Sequence, residues 1–461
     1  MRKIVVIGGG AGGMLAAGRA AECGAKVVLL ERNSILGKKL RITGKGRGNV
    51  TNTADLEDFV AAFGSNGKFL YSAFSQFPNH DLIDLLERLG VPTKVERGGR
   101  VFPASDRASD VAEALERWLR GLKVDIRAGT KAEGLAVESM GVWECGSVGE
   151  AEERSTSNAQ RPTSNVPKGR TPNTQHLTPG SINHQPSTIN HVSGVRVFGG
   201  VIPADAVILA TGGITYPRTG STGDGYRMAS EVGHTLIPPT PSLSALEIKE
   251  PWVSQLQGLS LKNVSATLYA GGKKIGREFG EMLFTHFGVS GPIILTLSKT
   301  YAKLEDKSDV VLSINLKPAL SRDQLDERLI RDFTQTKQFK NYLPELLPKT
   351  LIPVFTELSE ISPDTPLNVI TSAQRKRIID YLVDFRLTVE KARPADEAVV
   401  TAGGVSIKEI NPSTMESKLV RGLYLVGEVI DIDAVTGGYN LQAAFSTGWI
   451  AGENAGRMAD G

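Results

Sequence analysis

Gly8, Gly10 and Gly13 stand in the spacing Gly-x-Gly-x-x-Gly between an apolar run, Ile4 to Ile7, and an alanine-rich stretch, Ala11 to Glu22, and Glu31 follows 18 residues after Gly13. In a strand–turn–helix unit each glycine has its own reason. Gly8 allows the tight turn, Gly10 lets the backbone approach a pyrophosphate, and Gly13 lets the helix pack closely on the strand. The amides around Ala11 and Gly12 then face the phosphates. Glu31, at the end of the next strand, accepts the hydroxyls of an unphosphorylated ribose, with Arg32 beside it. A bare glycine triplet would be only a flexible turn; strand, helix and acid in register make it a dinucleotide site. No second glycine fingerprint of this kind follows in mid-chain, so the single site is expected to hold the tightly bound cofactor.

Three further segments carry candidate contacts. Gly37 to Asn52 is too rich in glycine and base to be core. Its Lys39, Arg41, Lys45 and Arg47 suit a pyrophosphate or carboxylate, and Asn49 and Asn52 suit the edge of a heterocycle; the plainer alternative is a solvated basic loop. The strand Ala206 to Leu209 stops at Ala210, Thr211 and Gly212, small residues past which a cofactor can run. Near the C-terminus, Gly427 and Glu428 end another strand, and Gly438, Asn440 and Leu441 open a helix. The positive end of that helix suits the region of an isoalloxazine where negative charge gathers on reduction.

The elements that must position these residues follow from periodicity. The opening is a βαβ unit with both strands in one parallel sheet. Residues 82–89 and 111–119 have helical spacing, and Glu96 to Phe102 reads as a hairpin around Gly98-Gly99. Residues 146–193 hold five prolines and no aromatic residue, and are expected to form a disordered low-complexity insertion between two strands. A metal-binding role for its His176, His184 and His191 is not favoured, and no metal is expected. Residues 239–320 with 388–397 read as a β-rich inserted domain. Residues 321–387 read as a helical one, its helices opened by the capping boxes Ser321-x-x-Gln324 and Thr371-x-x-Gln374, the second carrying Ile378, Ile379, Leu382 and Phe385. Residues 1–145, 194–238 and 398–461 are expected to form the Rossmann-like domain.

Composition narrows the class of protein. With 53 basic and 50 acidic side chains, the formal charge of +3 speaks against a dedicated polyanion binder. Two cysteines, Cys23 and Cys145, build neither a disulfide framework nor a zinc site, and a reducing compartment, the cytoplasm, is the expected location. The basic start followed by an uncharged stretch resembles an export signal, but its glycine cluster argues against that, and no stretch approaches the length of a membrane span. Glycine makes up 50 of 461 residues, well above the usual share of about 7%, as expected where backbone closes on a large ligand.

These segments together resemble the BaiN/YhiN-type flavoproteins, FAD-dependent bacterial oxidoreductases that include aminoacetone-oxidase-type members. The resemblance covers nearly all of the chain outside 146–193. It rests on GGGAGG, GKKLRITGKGRGNVTN, GRVFPASDRASDV, the ATGG strand, FTHFGVSGPIIL, TAGGV, INPSTMESK and GLYLVGEVIDIDAVTGGYNLQAAFSTG. It implies an α/β fold: a Rossmann-like FAD-binding domain of the two-dinucleotide-binding-domain flavoprotein type, with an inserted β domain and a small helical domain. FAD would lie between the first and last segments. Most relatives carry Arg-Cys-Asn where this chain has Arg47-Gly48-Asn49, so no thiol is expected beside the flavin.

The expected function is a hydride transfer through flavin N5 to or from a small organic substrate, with NAD(P)H as transient donor or oxygen as acceptor. His286, Tyr439 and Asn440 are the catalytic candidates, although a lone histidine such as His286 is more often structural. Arg100 and Arg107 are candidate clamps for an anionic group. Two alternatives belong to other classes: a flavin-dependent RNA-modifying protein, which predicts a basic face and a reactive cysteine, and a non-catalytic flavin-binding module. Neither nucleic acid nor membrane is an expected partner, and the sequence leaves the oligomeric state open.

Overall fold

Ile4 to Ile7, with side chains at most 4% exposed, occupies the middle of a five-stranded parallel sheet in the computed structural model, which describes residues 1–140, 189–394 and 397–457. The strand Lys3–Ile7 pairs with Lys26–Glu31 on one side and Ala206–Leu209 on the other; Asp125–Ala128 and Leu423–Leu425 complete the two edges. Continuous Val, Ile and Leu runs of this kind are what a sheet covered on both faces requires. The last strand comes from the far end of the chain, so the two ends share one sheet.

The helices Ala11–Glu22 and Tyr439–Gly456 lie parallel and unusually close. A Cβ built on Gly448 would sit 2.3 Å from the Gly12 carbonyl oxygen, and one on Gly452 would sit 2.4 Å from that of Ala16. Glycines spaced by four along the second helix therefore meet Gly12, Ala16 and Ala20 of the first, the spacing that puts residues on one helical face.

The segment between the later strands builds a six-stranded closed barrel from Leu246–Ile248, Gly288–Ser290, Lys273–Thr285, Ser260–Ala270, Val310–Asn315 and Phe385–Ala392. Helices Arg322–Asp332, Ile352–Ser359 and Ser372–Val383 pack on it, and one cluster of buried side chains runs through barrel and helices together. Both capping boxes form, Ser321 with Gln324 and Thr371 with Gln374. Phe385 corrects the sequence reading: it begins a strand instead of extending the helix. Phe385, Leu387 and Val389 are buried while Arg386 and Glu390 are exposed, a period of two that ends helical spacing at Asp384.

Strands Ala132–Met140 and Ile189–Val197 pair as a hairpin. Residues 189–193, His191 among them, thus belong to a strand and not to the expected disordered insertion; residues 146–188 of that insertion, with His176 and His184, lie outside the described residues, as does Cys145. The hairpin Thr93–Glu96 with Arg100–Pro103 turns at Gly98 and Gly99, both at positive φ, and pairs with Thr51–Asn52. Among the described residues no helix is long and apolar enough to cross a membrane.

Candidate functional site

A cleft of about 990 Å³ opens along the ends of the parallel strands, between the sheet and the barrel. Its floor is the glycine turn. Gly8 has φ +105°, and a Cβ there would meet the Ala210 carbonyl oxygen at 2.4 Å; a Cβ on Gly13 would meet the Gly8 carbonyl oxygen at 1.8 Å. Those two glycines serve backbone packing, and Gly13 does not itself line the cleft. Gly10 differs. Its φ is an ordinary −81°, and nothing lies within 4 Å of a Cβ built on it. Neither backbone strain nor a neighbouring chain segment demands glycine at that position, and the space beside it opens into the cleft. The helix behind it has no side-chain cap and no acidic residue in its first turn, which leaves the amides of its first turn to meet negative charge.

Glu31 is buried at the cleft edge: Oε2 accepts from the Gly9 amide at 2.8 Å, and Oε1 accepts from the Asn33 amide and side chain at 2.8 and 2.6 Å. These bonds aim the carboxylate and leave acceptor capacity for sugar hydroxyls. Arg32 lines the cleft and donates to Thr222 and Asp224. Ala210, Thr211 and Gly212, the last at φ +72°, line it from the strand end as expected.

Lys39 and Glu428, 389 positions apart in the sequence, meet at 2.6 Å. Glu428 also accepts from the Thr401 amide at 2.8 Å and the Thr215 hydroxyl at 3.1 Å, and Lys39 donates to Thr215 at 2.8 Å. Burial alone would push the Glu428 carboxyl up, but the Lys39 ammonium and these hydrogen bonds outweigh it and hold the group below its usual range. The pair lines the cleft and binds four segments of its wall together. Gly427 lines the cleft beside it.

The asparagines are also struts. Asn52 donates to the Gly98 and Gly437 carbonyls at 2.9 and 3.0 Å and accepts from the Ala54 amide at 3.0 Å. With its amide turned to match its neighbours, Asn49 donates to the Thr51 and Val101 carbonyls and accepts from the Gly438 amide at 3.0 Å. Asn440 accepts from the Ala434 amide at 2.8 Å and donates to the Ala434 and Val435 carbonyls at 3.1 and 3.3 Å. All three line the cleft; their amide donors go to the loops that frame it, and each side-chain oxygen keeps one acceptor position. Gly438, at φ +101°, and Leu441 line it with them. Tyr439 rests its ring edge-on against Phe59, centroids 5.0 Å apart, and burial pushes its phenol up.

Besides Gly13, three sequence-based candidates fall outside: Arg41, which pairs with Glu113 at 2.9 Å, His286 and Arg107. His286 is exposed in the turn after the strand Lys273–Thr285 and does not line the cleft; that turn carries it off the cleft wall, which is made instead by Gly280, Glu281 and Leu283 of the same strand. Arg107 pairs with Asp110 in the first turn of its own helix, with a largely exposed side chain. Arg47 lines the cleft but is held by Glu96 and Asp106 and lies over the Phe102 ring, 4.4 Å from its centroid. Arg100 does line the cleft.

Sequence reasoning missed the barrel wall and Tyr216, a cleft residue with a left-handed backbone at φ +53°. The segment FTHFGVSGPIIL drew the eye to its histidine, whereas Ser290, Gly291 and Ile293 from the same run face the cleft.

Residues 2–158 and 180–454 match the family described as HI0933-like protein Rossmann domain. A 3-dehydro-bile acid delta(4,6)-reductase from Clostridium scindens is 32% identical over 460 residues, 99% of each chain. The ribosomal RNA dihydrouridine synthase of Escherichia coli is 28% identical, spanning 98% of this chain and 97% of that one. Among solved structures, the 3-ketosteroid-delta4-(5alpha)-dehydrogenase of Rhodococcus jostii RHA1 covers 99% of this chain and 97% of its own at 14% identity and a TM-score of 0.50, a likeness of fold. With the glycine turn, the parallel sheet and the family match in agreement over almost the whole length, the chain belongs to the HI0933-like family, a Rossmann-domain family of the flavoprotein oxidoreductase type.

Proposed function

We propose that the protein is an FAD-dependent oxidoreductase acting on a small organic substrate, with NAD(P)H as a transient electron donor. The observation that carries this reading is the convergence of two uncapped helix N-termini, at Ala11 and Tyr439, on one cleft whose floor is left open at Gly10. When bound, FAD supplies hydride acceptance and release at its isoalloxazine.

The chain's own groups divide the remaining work. The amides of the first helical turn bind the diphosphate, Glu31 orients the adenosine ribose, and the positive end of helix Tyr439–Gly456 favours negative charge on the ring system. The Lys39–Glu428 pair fixes the floor against which these elements sit. Leu283 and Ile293 on the barrel side exclude water from the substrate end.

The Clostridium scindens relative acts, by its name, on a 3-dehydro bile acid, which favours an unsaturated ketone as first trial substrate. Anaerobic mixing tests the reading. NADH or NADPH should bleach the visible absorbance of the purified protein, and a 3-oxo-4-ene steroid should restore it. Protein that purifies colourless and takes up no FAD would overturn it. A second reading, flavin-dependent reduction of a base in RNA, draws on the 28% identity to the Escherichia coli synthase. Reoxidation by unmodified ribosomal RNA and not by the ketone would favour that reading.

A further inference from the structure

Lys45 lies on the cleft wall with φ +59° and ψ +39°, directly after Gly44 in the same left-handed region. A side-chain-bearing residue persists there only where its surroundings hold it, and such residues gather at ligand sites. Arg100 reaches the same cleft from the strand Arg100–Pro103. Its Nε donates to the Arg97 carbonyl at 3.1 Å, and its terminal nitrogens have no protein partner among the described residues.

The Phe102 ring lies beside Arg100 and beside Gly44, the residue before Lys45. The Arg100 guanidinium carbon is 5.9 Å from the ring centroid, and a Cβ built on Gly44 would lie 3.5 Å from Phe102 Cε1. The place is also tied to the loop before the last helix, because Asn52 pairs with Arg100 in the sheet and donates to the Gly437 carbonyl at 3.0 Å. Four other cations of the cleft pair with carboxylates, Arg32 and Lys131 with Asp224, Lys39 with Glu428, and Arg47 with Glu96 and Asp106, while Lys38 and Arg97 donate to the side-chain oxygens of Asn33 and Asn263. Among the described residues no carboxylate pairs with Lys45 or Arg100.

We infer that Lys45 and Arg100 form an anion clamp at the substrate end of the cleft, so that the substrate class is an apolar body bearing a carboxylate, sulfonate or phosphate. The body lies against the barrel wall and the charge lies between the two cations, where a guanidinium fork offers paired donors. This inference rests on the cofactor reading above and refines its substrate.

Two dyes with a common aromatic body separate charge from shape: anilinonaphthalene sulfonate and its neutral counterpart, N-phenyl-naphthylamine. Each is titrated by fluorescence into flavin-loaded protein at low and high salt. The sulfonate should bind about tenfold more tightly than the neutral dye, and salt should erode the difference. Lys45→Met and Arg100→Met should each weaken the sulfonate about three- to fivefold, with the neutral dye and flavin content unchanged. Arg100→Lys should keep most of the preference, which guards against mere misfolding of Arg100→Met. Equal affinity for the two dyes, no sulfonate binding to the wild type, or a preference that survives both methionine variants would overturn the clamp. Loss of flavin from the wild-type protein would instead count against the cofactor reading, which absorbance reports separately.

Discussion

Gly448 presses on the backbone of Gly12, leaving 2.3 Å between the site of its missing Cβ and the Gly12 carbonyl oxygen. Nine residues precede Gly448 in its helix and one precedes Gly12 in the other. At about 1.5 Å of rise per residue, the C-terminal helix therefore begins about 12 Å farther out along the shared direction. This stagger places one positive helix end at the glycine turn and the second farther along the cleft, suited to the two ends of an extended dinucleotide.

Gly448→Val should force the helices apart, because the clashing atom is backbone and cannot rotate away. The expected cost is about 3 kcal/mol, at the upper end for overpacking, with weaker flavin retention as the two N-termini shift. Denaturant unfolding and flavin-to-protein absorbance ratios measure both effects. A stable variant with full flavin content would contradict the account of the stagger.

Gly10→Val should behave in the opposite way. The position has ordinary backbone angles and open space, so the fold should survive with a stability change within about 1 kcal/mol. Flavin should be lost, because the branched side chain fills the space kept for the diphosphate. Circular dichroism and visible absorbance on one preparation decide the matter, and retained colour at full stoichiometry would defeat the cofactor reading.

Lys39→Met should leave the Glu428 carboxylate without its ammonium while the Thr401 and Thr215 bonds remain, costing about 2 kcal/mol near neutral pH. The sign of the pH dependence follows from the depressed carboxyl. In the wild type its contribution is present above the ordinary value of 4.5 and is lost as pH falls through the lower folded value. In the variant the burial effect is less opposed, so the carboxyl rises and protonation relieves the strain. The stability gap between wild type and variant should narrow on going from pH 7 to pH 4, as urea midpoints will show.

How much of this was legible beforehand depended on whether a residue acts within a local element or across the fold. Helix Ala11–Glu22 and strand Ala206–Leu209 appear within the limits that periodicity assigns, since a buried parallel strand and an alanine-rich helix each carry their own pattern. Gly448, Gly452 and Gly456 also stood in plain view at helical spacing, but only the partner helix gives that spacing a meaning. Asn49, Asn52 and Asn440 line the cleft as residue type suggests, but their amide donors go to backbone carbonyls that residue type does not reveal. Residue type announces hydrogen-bonding capacity, whereas nearby backbone, folded from distant sequence, decides who receives the bond. His286 misled because a motif marks a place in the fold, not the direction of each side chain.

Gly48 stands where the sequence resemblance implies a cysteine in most members, and its surroundings make a direct test. It has φ +79°, and a Cβ would lie 2.9 Å from Ala108 Cα and 3.0 Å from Ala108 Cβ. Gly48→Cys should therefore lower stability by roughly 1–3 kcal/mol through backbone strain and overpacking. The new thiol should face helix Ala108–Gly121 and react slowly with a bulky disulfide reagent in the native state. Rapid labelling with no loss of stability would show that the position opens to the cleft.

His234 supplies a pH dependence remote from the cleft. Its ring is fully buried, with Nδ1 3.1 Å from Glu409 and Nε2 2.8 Å from the Ser417 hydroxyl. That hydroxyl already accepts from the Leu419 and Val420 amides at 3.0 and 2.9 Å. Its proton is thus directed to Nε2, and the ring is neutral with its own proton on Nδ1, donated to Glu409. Burial lowers the imidazole below its usual 6.5, and Glu409 only partly opposes this. The unfolded chain consequently binds a proton that the folded chain resists, and stability falls as pH drops from about 6.5 toward the lower folded value. Urea unfolding of wild type and His234→Gln between pH 7.5 and pH 5.5 isolates the contribution: the wild type should lose stability across that window and the variant should lose less. A variant that follows the wild type across the whole range would show that folding leaves the His234 titration unshifted, contrary to its burial and to the donor pattern around Ser417.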